Sequence, residues 1–141
     1  MNRAELLRQS RKLDRKQMTK WLEKETGKKI TSSTFDKIMH DALPLERAYQ
    51  SEVIVYLKTI PGAFVWKATA GPYSRQGIPD VCAIIDGHFF GFEIKRPYIG
   101  RATEVQKQTI RQINKSGGTA AVISFAEQAK AIIDKWKQRD K

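Results

Sequence analysis

The 141-residue chain predicts a mixed α/β fold: an α-β-β-β-α-β-α core around a mixed sheet, preceded by an N-terminal helical appendage. Three features predict it. An Asp86-Gly87 pair lies between two apolar runs, the strongest short-range signal for a two-residue hairpin. A helical apolar pattern precedes that hairpin and returns twice after it. Residues 1–43 read as helical throughout, which sets the expected division into residues 1–43 and 44–141.

Within the appendage, Asp14 to Thr26 suits one helix stopped by Gly27, and Thr31 to Ser33 offer caps for another through Phe35, Ile38 and Met39. Two short helices about a tight turn fit either a helix-turn-helix or a packing or dimerisation arm. The arm is the favoured expectation, because no base-reading side chain can be named. Pro44 then opens a helix whose apolar face runs through Leu45, Tyr49, Val53, Tyr56, Leu57 and Ile60 to Pro61-Gly62. Ala63 to Thr69 reads as a strand. Gly71 to Gly77 is a loop, and Pro79 to Ile85 and His88 to Arg96 form the hairpin strands. Both strands are apolar enough to be central ones covered on both faces. Thr103-Glu104-Val105-Gln106 has the form of a capping box for a helix ending at Gly117-Gly118. Thr119 to Phe125 is a fourth strand. Ser124 and Glu127 repeat the capping-box spacing before a last helix with Ala129, Ile132, Ile133 and Trp136 on its apolar face.

Composition narrows the chemistry. A net charge of +11 is concentrated at the two ends: residues 1–43 hold 11 Lys or Arg against 6 acids, and residues 101–141 hold 9 against 4. The segment between them, 44–100, holds 6 against 5, so basic flanks surround a nearly neutral centre, a layout suited to a polyanion. The single cysteine, Cys82, falls in an expected buried strand and reads as a small hydrophobe. With one cysteine no intrachain disulfide can form, no apolar run approaches the roughly 20 residues of a membrane span, and MNRAELLRQS lacks a signal-peptide core. A cytoplasmic chain that engages no membrane is therefore expected. Only His40 and His88 are present, far apart in sequence, which leaves a zinc or histidine-based site without ligands. No Walker A loop occurs, so no nucleotide cofactor is expected.

The hairpin carries the most specific signal. A two-residue turn at Asp86-Gly87 puts Ile85 opposite His88, Val81 opposite Phe92 and Asp80 opposite Glu93. Alternation along the strand gives Glu93 and Lys95 one face and Ile94 the other, so Lys95 neighbours both acids. Opposed carboxylates among apolar side chains repel each other and lose hydration. A divalent cation removes both penalties, and carboxylate oxygens with a backbone carbonyl suit a hard one such as magnesium or manganese. The expected chemistry is phosphodiester hydrolysis. Tyr73, Ser74, Arg75 and Gln76 are candidates for touching the strand being cut, because their loop leads into Asp80. Arg96, directly after Lys95, is a further DNA-binding candidate. Lys107, Arg111 and Lys115 form a stripe on one helix that reads as a solvated face.

Gly77-Ile78-Pro79-Asp80, then twelve residues, then Glu93-Ile94-Lys95, resembles the PD-(D/E)XK nuclease signature. With Gln106 and the Gly117-Gly118 turn downstream, the pattern resembles the VRR-NUC branch, the virus-type replication and repair nucleases, over roughly residues 45–125. The resemblance implies a restriction-endonuclease-like core and magnesium- or manganese-dependent cleavage of DNA. It implies Asp80, Glu93 and the Ile94 carbonyl as metal ligands, Lys95 as the group that orients or activates water, and Gln106 as a residue reaching the site. It also implies a helix glutamate a few residues before a glutamine. Glu46 with Gln50 matches, and Glu52 is the rival, since both acids lie on shoulders of one apolar stripe. Stand-alone members of the branch suggest a homodimer acting on branched or Holliday-junction DNA, in phage-type replication, recombination or repair. A flap or nicking nuclease, a restriction-type enzyme reading sequence through residues 1–43, and a non-catalytic DNA-binding regulator are the alternatives.

Overall fold

A computed structural model describes residues 2–69 and 71–139; the outermost residues of both expected segments, 1 and 140–141, lie outside them. The described chain divides into two compact units, one of Met1–Leu45 with Arg96–Gly100 and one of Glu46–Lys95 with Arg101–Lys141.

The first unit holds three helices, α1 (Arg3–Ser10), α2 (Arg15–Thr26) and α3 (Ser32–Ala42). The sequence reading names α2 and α3 but not α1. The side-chain oxygen of Asn2 caps α1, Asp14 and Gln17 form a reciprocal capping box on α2, and Thr31 caps α3. Gly27 ends α2 in the left-handed conformation at φ 68°. Leu6, Met18, Leu22, Phe35, Met39 and Leu43 form its buried core, with Tyr98 and Ile99 packed against it. Residues 96–100, read from the sequence as the end of the hairpin strand and the stretch that follows it, thus belong to this unit. Tyr98 donates its hydroxyl to the carbonyls of Ser10 and Leu13 and meets Phe35 edge-on.

The second unit follows the order read from the sequence: α4 (Glu46–Lys58), β1 (Phe64–Lys67), β2 (Val81–Ile85), β3 (His88–Ile94), α5 (Glu104–Lys115), β4 (Thr119–Ile123) and α6 (Ala126–Arg139). The sheet runs β1-β2-β3-β4, antiparallel except for the parallel β3-β4 pair. The hairpin register is the one that the Asp-Gly turn dictates, with Ile85 opposite His88 and Val81 opposite Phe92. Asp86 and Gly87 both take positive φ, 50° and 78°, as a type I′ turn requires. One sheet face, through Val81, Ala83, Ile85, Phe90, Phe92 and Ile94, is buried with Tyr49, Val53 and Leu57 of α4 and Ala129 and Ile133 of α6. The other carries Cys82, Gly91 and Glu93. Near the turn end its cover is incomplete: Ile84 is 41% exposed, so the expectation of strands covered on both faces holds only in part.

The last helix starts differently from the expected Ser124-Glu127 box. Gln128 Oε1 accepts from the N–H groups of Ser124 and Phe125, Glu52 Oε2 accepts from the Ala126 N–H, and the Ser124 hydroxyl donates to the Lys95 carbonyl at 2.6 Å. Among the described residues no helix is long and apolar enough to cross a membrane.

Candidate active site

Three features of the Gly77-Ile78-Pro79-Asp80 entry fix where Asp80 arrives. Gly77 has φ +82°, and a Cβ there would come within 2.9 Å of the Val105 carbonyl and 2.8 Å of Thr109 Oγ1. Glycine therefore lets the loop lie directly on α5. Pro79 packs over Gly91, where an added Cβ would fall 2.8 Å from the proline ring. Asp80 then continues the β2 line by one residue, and its carbonyl accepts from the Ala68 N–H. Its Oδ2 accepts the Ile94 N–H at 3.0 Å, which ties the acid to the strand carrying Glu93.

Glu93 is 1% exposed, and neither carboxylate oxygen has a hydrogen-bond partner. A buried carboxylate without bonds costs several kcal/mol unless its charge is met. Burial, followed by the nearby Asp80 carboxyl, pushes its pKa up to about 8, while Lys95 pulls the other way. Lys95 Nζ lies 3.6 Å from Glu93 Oε2 and 3.7 Å from Glu46 Oε1, so the ammonium sits between two acids from different elements. Burial, with Asp80 and Glu93 adding to it, raises the Cys82 thiol to about 11, which agrees with an inert buried side chain.

The structure separates the two rival glutamates. Glu46, in the first turn of α4, reaches Lys95, and its charge is felt at Glu93. Glu52, 74 residues from its partner in sequence, turns to the N-terminus of α6. Periodicity could not separate them, because what distinguishes them is contact with Lys95 and with the start of α6.

A cleft of about 320 Å³ opens onto Asp80 and is bounded by Thr69, Ser74, Arg75, Gln76 and Gln106. Gln106 both lines the cleft and closes the capping box of α5, accepting from the Thr103 N–H. The loop candidates divide by what they already touch. Ser74 uses its hydroxyl within the loop, bonding Gly71 and Thr69, while Arg75 Nη2 reaches Gln112 Oε1 on α5 at 2.7 Å. Tyr73 is fully exposed. Arg96 does not line this cleft: its guanidinium donates to the carbonyls of His40, Leu43 and Pro44, inside the helical unit. Arg111 and Lys115 of the basic stripe are exposed and Lys107 pairs with Glu104, as a solvated face should.

Sequence reasoning missed Ser124 as a neighbour of the site. Its hydroxyl holds the Lys95 carbonyl, and no spacing in the chain points to that bond. The donors that meet here are oxygens. Among the described residues no three His, Cys, Asp or Glu side chains gather closely enough to hold an ion by themselves. Asp80 and Glu93, with a backbone carbonyl and solvent or substrate oxygens, nevertheless suit a hard cation, and the unbonded Glu93 oxygens are the feature such an ion would satisfy.

The described elements form a mixed α/β domain built on a four-stranded mixed sheet. A solved structure described as a VRR_NUC domain shares this fold, with a TM-score of 0.53 and 21% identity over 63% of this chain and 94% of that one. No family model matches the chain, and no curated protein matches it in sequence.

Proposed function

We propose that the protein is a magnesium- or manganese-dependent endodeoxyribonuclease that hydrolyses phosphodiester bonds in branched DNA, working as a homodimer on four-way junctions. The observation that carries the reading is Glu93, buried with both oxygens unbonded, beside Asp80 and Lys95. The nuclease fold of the solved neighbour supports it. Junction preference and pairing of two copies rest on the motif resemblance, since two symmetric sites suit paired cuts. The N-terminal helices serve as a packing arm.

Asp80, Glu93 and the Ile94 carbonyl would hold the cation, with Glu46 contributing from α4. When bound, it would supply Lewis-acid polarisation of the phosphate and a lower pKa for water. The Lys95 ammonium, fixed between Glu46 and Glu93, orients the attacking water and offsets charge growing on the phosphate oxygens. The Ile94 N–H keeps Asp80 turned toward Glu93. Ser124 anchors the backbone from which Lys95 extends. Gln76, Gln106 and Arg75 line the cleft by which a strand would reach Asp80, with Tyr73 and Ser74 in the same loop.

The test is a panel of labelled four-way, flapped, linear duplex and single-stranded substrates, incubated with magnesium, manganese or chelator. The wild-type protein should cut branched DNA with either metal and not in chelator, and Asp80→Asn should be inactive. Binding without cutting in every metal condition would give the chain to the regulatory alternative.

A further inference from the structure

The sheet face that carries the acids continues beyond them. Cross-strand register puts Trp66, Cys82 and Gly91 in one row and Phe64, Ile84 and Phe89 in the next, on the face shared with Asp80 and Glu93. At this end the face is poorly covered: Phe64 is 66% exposed and Ile84 41%. The three aromatic rings form a chain, with Phe64 5.5 Å from Trp66 and Trp66 6.1 Å from Phe89. Exposed aromatic side chains in a row on a sheet are costly to leave in water without a partner.

The cleft at Asp80 and a neighbouring groove of about 350 Å³ share Arg75 and Ile78, and Phe89 lines that groove together with Thr109, Gln112 and Ile113 of α5. Phe89 lies four positions along the strand from Glu93, and Ile84 four from Asp80, a span of about 13 Å. At a stacked spacing of about 3.4 Å per nucleotide that distance is about four steps, and fewer for an extended single strand.

We infer that Phe64, Trp66 and Phe89 are a stacking platform for unpaired nucleobases, so that the substrate carries a single-stranded stretch a few nucleotides from the bond that is cut. This rests on the nuclease reading above and narrows its branched substrate to one with unpaired nucleotides, such as a flap or a gapped branch, in place of a fully paired four-way junction. Bases offer π faces to the rings, and the intervening phosphates offer acceptors to Arg75, which stands between cleft and groove. A second copy of the chain is the poorer occupant. It would offer Arg75 no anion.

The experiment uses Asp80→Asn protein, fluorescence anisotropy with a short labelled thymidine oligonucleotide and with a blunt duplex, and sedimentation at the same concentration. Phe64→Ala, at an exposed position, should weaken single-strand binding roughly tenfold and change duplex binding less than about twofold, whereas Phe64→Tyr, which keeps a ring, should restore it. Unchanged single-strand affinity in Phe64→Ala overturns the inference. So does equal loss on both ligands together with a shift from dimer to monomer, which would assign the face to a second copy. The two readings fail separately: ring-dependent binding by a wild-type chain that cuts no DNA leaves the platform and removes the nuclease. Cleavage of branched DNA with Phe64→Ala binding as the parent does the reverse.

Discussion

Lys95 Nζ lies 3.6 Å from Glu93 Oε2, an ion pair between two residues of one strand segment, separated only by Ile94, whose side chain faces the core. The pair is incomplete as a stabilising device, because Glu93 stays buried with no hydrogen bond and its carboxyl is pushed up to about 8. Neutralising Glu93 should therefore affect activity and stability in opposite directions.

That gives a pH prediction with a definite sign. Glu93 has a folded pKa above its ordinary value of 4.5, so the native state binds its proton more tightly than the unfolded chain does. In metal-free buffer its contribution favours folding below about 4.5 and is progressively lost as pH rises through about 8. Glu93→Gln, which stays neutral, should raise Tm by several degrees at pH 8.5, and by much less at pH 5, relative to the parent. Thermal denaturation in chelator at the two pH values checks this, and an equal shift at both would show that Glu93 is not destabilised by its charge. The same variant should lose cleavage by about 10³-fold in magnesium.

Glu46→Gln should lower the cleavage rate about 100-fold with little change in stability, since its carboxylate faces Lys95 and is 41% exposed. Glu52→Ala should do the converse, leaving cleavage within about threefold while costing about 1 kcal/mol through the lost acceptor at the start of α6. Single-turnover kinetics and urea unfolding on both variants distinguish the roles. Full cleavage by Glu46→Gln would return Glu52 to contention.

Gly77→Ala should cost about 2 kcal/mol or more, because it combines positive φ with contact under 3 Å to the Val105 backbone. Relief of that clash lifts the loop from α5 and shifts Asp80, so the residual folded protein should also cut more slowly. Gly87→Ala, where nothing lies within 4 Å, is the control: its penalty is conformational alone and its cleavage should be preserved.

Arg96→Ala should destabilise the protein by about 2 kcal/mol, through three carbonyls left without their donor. Its affinity for DNA per folded molecule should be unchanged. Urea unfolding followed by anisotropy measures both quantities, and a selective loss of DNA affinity would restore the binding role expected from the sequence.

Much of this was legible because hairpin geometry is local. Two turn residues determine the register, and the register brings Asp80, Glu93 and Lys95 together. The caps at Asp14, Thr31 and Thr103 were equally readable, each being a three-residue relationship. What escaped depends on long-range partners. Ser124 and Glu127 have capping-box spacing, but the hydroxyl finds Lys95 and Gln128 takes the cap. Glu46 and Glu52 share a helix and a stripe, and only contact with Lys95 and with the start of α6 tells them apart. The carbonyl acceptors of Arg96, a DNA-binding candidate from the sequence, lie more than 50 residues upstream, beyond the reach of any local spacing.

The strap Arg96–Gly100 has a practical consequence for dissecting the chain. Because Arg96 and Tyr98 find their acceptors on residues 10 to 44, the helical unit is discontinuous in sequence and the polypeptide enters and leaves it on either side of the hairpin. Truncation at residue 43, the natural cut by eye, would strip that strap of its partners and leave Ile99 without its apolar cover. Excising the first 43 residues therefore removes half of a mutual fit rather than a detachable tag.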